Sequence, residues 1–272
     1  MEFVDTHCHI QEASQEKGGD VFMQEKWLVA GYDDPQQLID NAVKDGVTRL
    51  ICVGCTFKDS EMAVNLANSD EHCYASIGIH PHEAKDHLAK TTQLEFANLL
   101  QKPKVVAIGE CGLDYYYNHS PKNEQLALLS FQLQLASDHN LPVILHIRDA
   151  FDDFWPVFDQ FAGLSGVVHS FSSNSGDLEQ ALSRGLYIGL NGIMTFTKDP
   201  KQLTAAKQVP LNRLLLETDA PFLTPYPYRG RICEPKHVCV TAEFLAKLRG
   251  EELAELADAS THNATTLFKL QE

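Results

Sequence analysis

Seven residues that can bind a metal or move a proton recur along the chain: His7, His9, His80, Glu110, His146, His169 and Asp219. In an extended segment side chains alternate, so His7 and His9 share one side while Cys8 between them points away. Imidazoles combined with carboxylates make a nitrogen and oxygen site suited to zinc, manganese or iron, and to magnesium where water completes the shell. Glu110 can give one oxygen to each of two cations. Two cations a few Å apart can hold a hydroxide and stabilise both the attacking and the leaving oxygen. Asp219 can bind one of them and accept the proton of the attacking water. Each residue alone also has a plain reading. His-x-His can sit in a turn, Glu110 in a loop, His146 and His169 in the core with hydrogen-bonded partners, and Asp219-Ala220-Pro221 in a turn that caps a helix.

The elements that must position these groups decide between the readings. Eight short apolar runs, Glu2–Val4, Arg49–Val53, Tyr74–Ile79, Val105–Ile108, Pro142–Leu145, Gly166–Val168, Leu186–Leu190 and Arg213–Leu216, have the composition of buried parallel strands. Helical patterns lie between them, at Pro35–Lys44, Lys122–His139, Asp177–Arg184, Thr241–Leu248 and Glu251–Ala259. Repeated strand–helix alternation implies a parallel sheet, and eight strands favour a closed (β/α)8 TIM barrel over an open, doubly wound sheet. In a barrel the C-terminal strand ends meet on one face, the face that carries active sites. Five strands followed by a ligand-type residue are hard to obtain from packing alone, so a metal site is expected there. The connection Gln11–Asp34 is long and reads either as a lid or as a surface loop.

Length and composition agree with this. The chain has 272 residues, 44% apolar and 22% charged, which suits one barrel domain over residues 1–272. With 22 basic and 37 acidic residues the formal charge is −15, which disfavours wrapping of duplex DNA through Lys and Arg. It does not exclude a nuclease, because divalent cations reverse the field locally. Seven scattered cysteines, no signal-peptide pattern and no run of about 18 apolar residues point to a reducing cytoplasm and no membrane partner.

Five ordered blocks resemble the TatD-type hydrolases of the amidohydrolase superfamily. Asp5-Thr6-His7-Cys8-His9 is similar to the opening D-[ST]-H-x-H. The run Ala107 to Tyr115 resembles A-I-G-E-x-G-L-D-[YF], Pro142 to Asp149 resembles P-V-x-x-H-x-R-[DE], and Val168-His169-Ser170-Phe171 resembles H-[CS]-F. Leu216 to Pro225 matches L-E-T-D-[AS]-P-[YFW]-L-x-P, and Asn263 to Phe268 resembles the usual C-terminal helix. The resemblance implies a distorted TIM barrel of the metal-dependent hydrolase type and 3′–5′ exonuclease activity on DNA. By position, His7, His9, Glu110 and Asp219 would hold one divalent ion and Glu110, His146 and His169 the other. Mg²⁺ or Mn²⁺ is expected, with Zn²⁺ as the alternative. His80 and Arg148 would contact the scissile phosphate. The expected partner is single-stranded DNA or a 3′ end, with RNA as a further substrate, and the expected state is a monomer. In the segment Arg229 to Pro235 the chain departs from R-x-x-x-N-x-P, with Cys233 where Asn is usual, which puts substrate contacts there in doubt.

Among relatives of that superfamily, a carboxylated lysine often bridges two metals, and here its place on the fourth strand is taken by Glu110. Arg148 after His146 suits phosphate better than a nucleobase amine, so phosphodiester cleavage is preferred to deamination. Hydrolysis of another ester or amide, such as removal of a D-amino acid from tRNA, would use the same site. A non-catalytic barrel predicts a missing ligand, and none is missing. Cys52-Val53-Gly54-Cys55 lacks a second pair for zinc and is read as structural. Tyr115-Tyr116-Tyr117 is read either as a stacking platform or as loop packing. His72, His87, His119, His139, His237 and His262 are read as surface or core residues.

Overall fold

The computed structural model describes residues 1–87 and 96–271. Eight strands, β1 (Phe3–Cys8), β2 (Val47–Val53), β3 (Cys73–Ile77), β4 (Val105–Asp114), β5 (Val143–Arg148), β6 (Gly166–Val168), β7 (Tyr187–Leu190) and β8 (Leu214–Leu216), form one parallel sheet in sequence order. A parallel bridge between Cys8 and Ala220 brings β1 against the end of β8. The Asp219 N–H donates to the His7 carbonyl and the His9 N–H to the Ala220 carbonyl, both at 2.8 Å. The sheet is therefore a nearly closed barrel.

Alternation along the strands sorts their side chains into two apolar clusters. Val4, Ile51, Tyr74, Val106, Ile144, Val167, Tyr187 and Leu215, one from each strand, pack together with Leu267, Phe268 and Leu270 from the C-terminal end. These fill the barrel. Leu50, Cys52, Val143, Leu145, Leu214 and Leu216 instead join the cluster formed with the surrounding helices. The same period of two that turns Ile144 inward turns His146 inward one step above it. Val167 leads in this way to His169, and Leu215 to Glu217 and then Asp219.

The helices Pro35–Lys44 and Lys122–His139 keep the bounds read from the sequence. The first opens on Asp34, whose carboxylate accepts the Gln36 N–H, followed by proline in the first turn. The second ends on Asn140 in the left-handed region. The last helix, Leu253–Phe268, runs well past Ala259. Its polar stretch hides the apolar period, but Asn263 donates to the Leu211 and Leu214 carbonyls and docks the helix on the barrel. Gln11–Asp34 is an ordered layer containing the helix Val21–Val29, and its Trp27 is fully buried with Nε1–H donating to the His9 carbonyl at 3.2 Å.

Three strands outrun their apolar runs. β1 reaches Cys8, β4 reaches Asp114 and β5 reaches Arg148, so His7, Glu110 and His146 lie within strands and not after them. Polar residues end an apolar run in sequence, yet here they stay in the ladder, with Gly112 paired to His146 and Asp114 to Arg148.

Candidate metal centre

Glu110 is displayed by a local break in β4. The register with β5 shifts between Ile108 and Cys111, and Gly109 and Gly112 carry φ of 146° and 153°. A Cβ at either glycine would run into the backbone of β5. The Gly-Glu-Cys-Gly order thus follows from the need to turn one carboxylate inward against a closely packed neighbour.

The two oxygens of Glu110 face different partners. Oε2 lies 3.3 Å from His7 Nε2. Oε1 lies 2.7 Å from His146 Nδ1, 3.1 Å from His169 Nε2 and 3.5 Å from His80 Nε2. His7 Nε2 and His9 Nε2 are 3.2 Å apart, and Asp219 Oδ1 stands 3.7 and 3.4 Å from them. The structure brings all seven residues singled out as ligands or proton carriers into one cluster, with Arg148 at its rim. His80 is closer in than a purely substrate-side residue, since it groups with Glu110 and His146 within ligand distance.

Neighbouring groups orient the rings. His9 Nδ1 is 2.8 Å from the Val53 carbonyl, which accepts its proton and leaves Nε2 facing the cluster. His169 Nδ1 lies 3.2 Å from Glu217, and His146 Nε2 lies 3.1 Å from Asp114. Asp114 also receives His82 at 3.0 Å, and Asp5 accepts the backbone and hydroxyl hydrogens of Thr218. Asp5, Asp114 and Glu217 lie inside the family-like sequence blocks, but the sequence assigns them no role, because a carboxylate that steers a ligand is recognised only by its contact.

Burial and charge set the protonation states. Burial would raise the Glu110 carboxyl, but His169, His80, His7 and His146 hold it well below the ordinary range. Burial would raise Asp219 too, and the facing His9, His169 and His7 lower it. Burial lowers His7 and His80. Burial would also lower His9, but Asp219, Glu110 and Asp59 push it up to about 9. Ionised carboxylates and imidazoles converge, and among the described residues no lysine or arginine pairs with Glu110 or Asp219. His7, His9 and Glu110, His7, His169 and Asp219, and His80, Glu110 and His146 each offer ligand atoms within 4.8 Å of one another. The donor set fits divalent cations.

Cys55 lies beside the cluster, its Sγ 3.7 Å from Glu110 Oε2 and its N–H donating to Asp59. Cys52 is core, as expected for a strand residue. His119 lines the cleft beside Tyr117, with the rings stacked 5.8 Å apart. Arg229 lies with its guanidinium 3.8 Å from the Phe196 ring centre and donates to the Thr224 carbonyl, while Arg231 borders a separate hollow. Cys233 is buried, with its N–H on the Pro221 carbonyl.

The cluster forms the floor of a cleft of about 1450 Å³, which Arg148, Tyr116 and Tyr117 also border. A parallel barrel with imidazoles and carboxylates gathered above its core defines a metal-dependent hydrolase. The TatD related DNase family matches residues 4–269, and the chain belongs to that family. It is 35% identical over 242 residues to the uncharacterized metal-dependent hydrolase YabD of Bacillus subtilis (strain 168), covering 88% of this chain and 94% of that one. It is 34% identical over 245 residues to the 3′-5′ ssDNA/RNA exonuclease TatD of Shigella flexneri serotype 5b, covering 86% and 93%. The crystal structure of the TatD homologue YjjV of Escherichia coli K12 superposes with a TM-score of 0.84 at 28% identity over 99% of this chain and 98% of that one.

Proposed function

We propose that this hydrolase cleaves phosphodiester bonds in single-stranded DNA from the 3′ end, with RNA as a further substrate and two divalent cations, Mg²⁺ or Mn²⁺, as cofactors. His7, His9, Glu110 and Asp219 would hold one cation and Glu110, His146 and His169 the other. One observation carries the substrate reading. The Arg148 guanidinium lies 4.2 Å from the Tyr116 ring centre and 4.8 Å from that of Tyr117, at the mouth of the same cleft. A guanidinium forks onto phosphate oxygens, and exposed aromatic rings stack on unpaired bases. The relatives described as ssDNA/RNA exonucleases support the same substrate.

Cations held by these groups supply Lewis acidity toward the phosphoryl oxygens. Arg148 and His80 orient the phosphate. Asp219, ionised and with its side chain 17% exposed, takes the proton of the attacking water. His169 and His146 stay aligned through Glu217 and Asp114. We read the protein as a monomer of the cytoplasm. Seven free cysteines support a reducing compartment, and among the described residues no helix is long and apolar enough to cross a membrane.

The test uses purified protein with Mg²⁺ or Mn²⁺ and 5′-labelled single-stranded DNA. Shortening from the 3′ end that disappears with EDTA and in Asp219→Asn supports the proposal. Intact metal binding with no cleavage of DNA or RNA, and release of D-amino acids from charged tRNA instead, refutes it.

A further inference from the structure

We infer that Phe22 and Phe222 form a second base-stacking subsite on the wall of the cleft opposite Tyr116 and Tyr117, with Lys26 beside them on the adjoining hollow to meet the phosphate, a reading that rests on the proposed single-stranded substrate. In a ring of eight strands, β4 and β5 stand across from β8 and β1. Tyr116 follows β4 and Arg148 ends β5. Phe222 follows β8, three residues beyond Asp219, whose carbonyl accepts the Phe222 N–H at 2.8 Å. Phe22 comes from the helix Val21–Val29, inserted after β1. The Phe22 and Phe222 rings stack at 6.4 Å with 19° between their planes, and both border the same cleft as the metal cluster.

An aromatic side chain that is 61% exposed, as Phe22 is, gains little from the fold. A helix anchored by buried Met23 and Trp27 did not need phenylalanine at this position. Lys26 Nζ sits 4.5 Å from the Phe22 centroid and 5.7 Å from that of Phe222. Lys26 has no carboxylate partner among the described residues, in a chain of net charge −15. An unpaired ammonium beside two stacked rings matches the alternating phosphate and base of a single strand. The metal cluster lies between this pair and the Tyr116–Arg148 pair. A strand whose scissile phosphate rests on the cluster therefore has a platform for the base on either side.

Binding of fluorescein-labelled oligothymidylate is measured by anisotropy on the Asp219→Asn background, and cleavage on the otherwise native enzyme. Phe22→Ala is expected to weaken oligonucleotide binding and raise KM at least about fivefold, and Lys26→Gln to weaken binding less and flatten its salt dependence. Hydrolysis of bis(p-nitrophenyl) phosphate, too small to reach both walls, is expected to stay unchanged in both variants. Phe22→Ala that binds and cleaves the oligonucleotide like the native protein overturns the subsite alone. Equal loss on the small diester overturns it too, because the helix would then be bracing the cluster. Failure of the native protein to bind or cleave any single strand removes the underlying substrate reading along with it.

Discussion

His7, His9 and Asp219 lie at the barrel seam, where main chain meets main chain: Asp219 N–H on the His7 carbonyl, His9 N–H on the Ala220 carbonyl. His80 and His146 lie across the barrel, beside β4, and are aligned by carboxylate side chains, with Glu110 and Asp114 contacting His146 on its two nitrogens. The two seam histidines, His7 and His9, are nearly inaccessible, while Asp219, His80, His146 and Arg148 are open to the cleft to differing degrees. A ligand fixed by backbone pairing cannot be moved without opening the barrel. One fixed by a side chain can be loosened by a single substitution. The seam therefore holds the reference position, and tuning falls to the opposite half.

Glu110 belongs to both halves, so Glu110→Gln carries the largest expected effect. Turnover should fall about a thousandfold, and metal content measured by atomic emission should drop on both sides. A variant that keeps its full metal complement would show that the halves do not share this carboxylate. Asp114→Asn should act on one half. Metal affinity by calorimetric titration should weaken about tenfold to a hundredfold for the ion nearest His146, leaving the other unchanged. Equal weakening of both ions would erase the contrast between seam and opposite wall.

The smallest effect concerns the layer behind the seam. Glu12 is buried, and burial, then the neighbouring Asp59, push its carboxyl from 4.5 up to about 8. The folded protein keeps a proton there that the unfolded chain releases, so this group's stabilising contribution is complete below pH 4.5 and declines as pH rises to about 8. Glu12→Gln carries its hydrogen at every pH. Its melting temperature should gain on the native protein progressively between pH 5 and pH 8, by several degrees. A constant difference across that range would mean that Glu12 is ionised in the folded protein.

The convergence of the candidate ligands was legible in the sequence because each follows an apolar run, and period-two alternation carries the inward face onward from Ile144 to His146 and from Val167 to His169. The strand lengths were not legible. Glu110 and Gly112 look like the start of a loop until the pairing of Gly112 with His146 is seen. Asp114, Glu217 and Asp5 were equally hidden, since their roles depend on which imidazole or amide they meet. The segment Gln11–Asp34 reads from the sequence only as a lid or a surface loop, because its place depends on Trp27 reaching the His9 carbonyl, a contact between residues 18 positions apart.

The seam also fixes when the centre can exist during synthesis. His7 leaves the ribosome more than two hundred residues ahead of Asp219. A nascent chain can expose the histidine pair early, but the carboxylate that would share a cation with them, and the Cys8–Ala220 bridge that seats it, come only after the eighth strand. Any cation the proposed ligands hold would be captured only once all eight strands are made, and an interrupted chain would carry imidazoles with no finished centre.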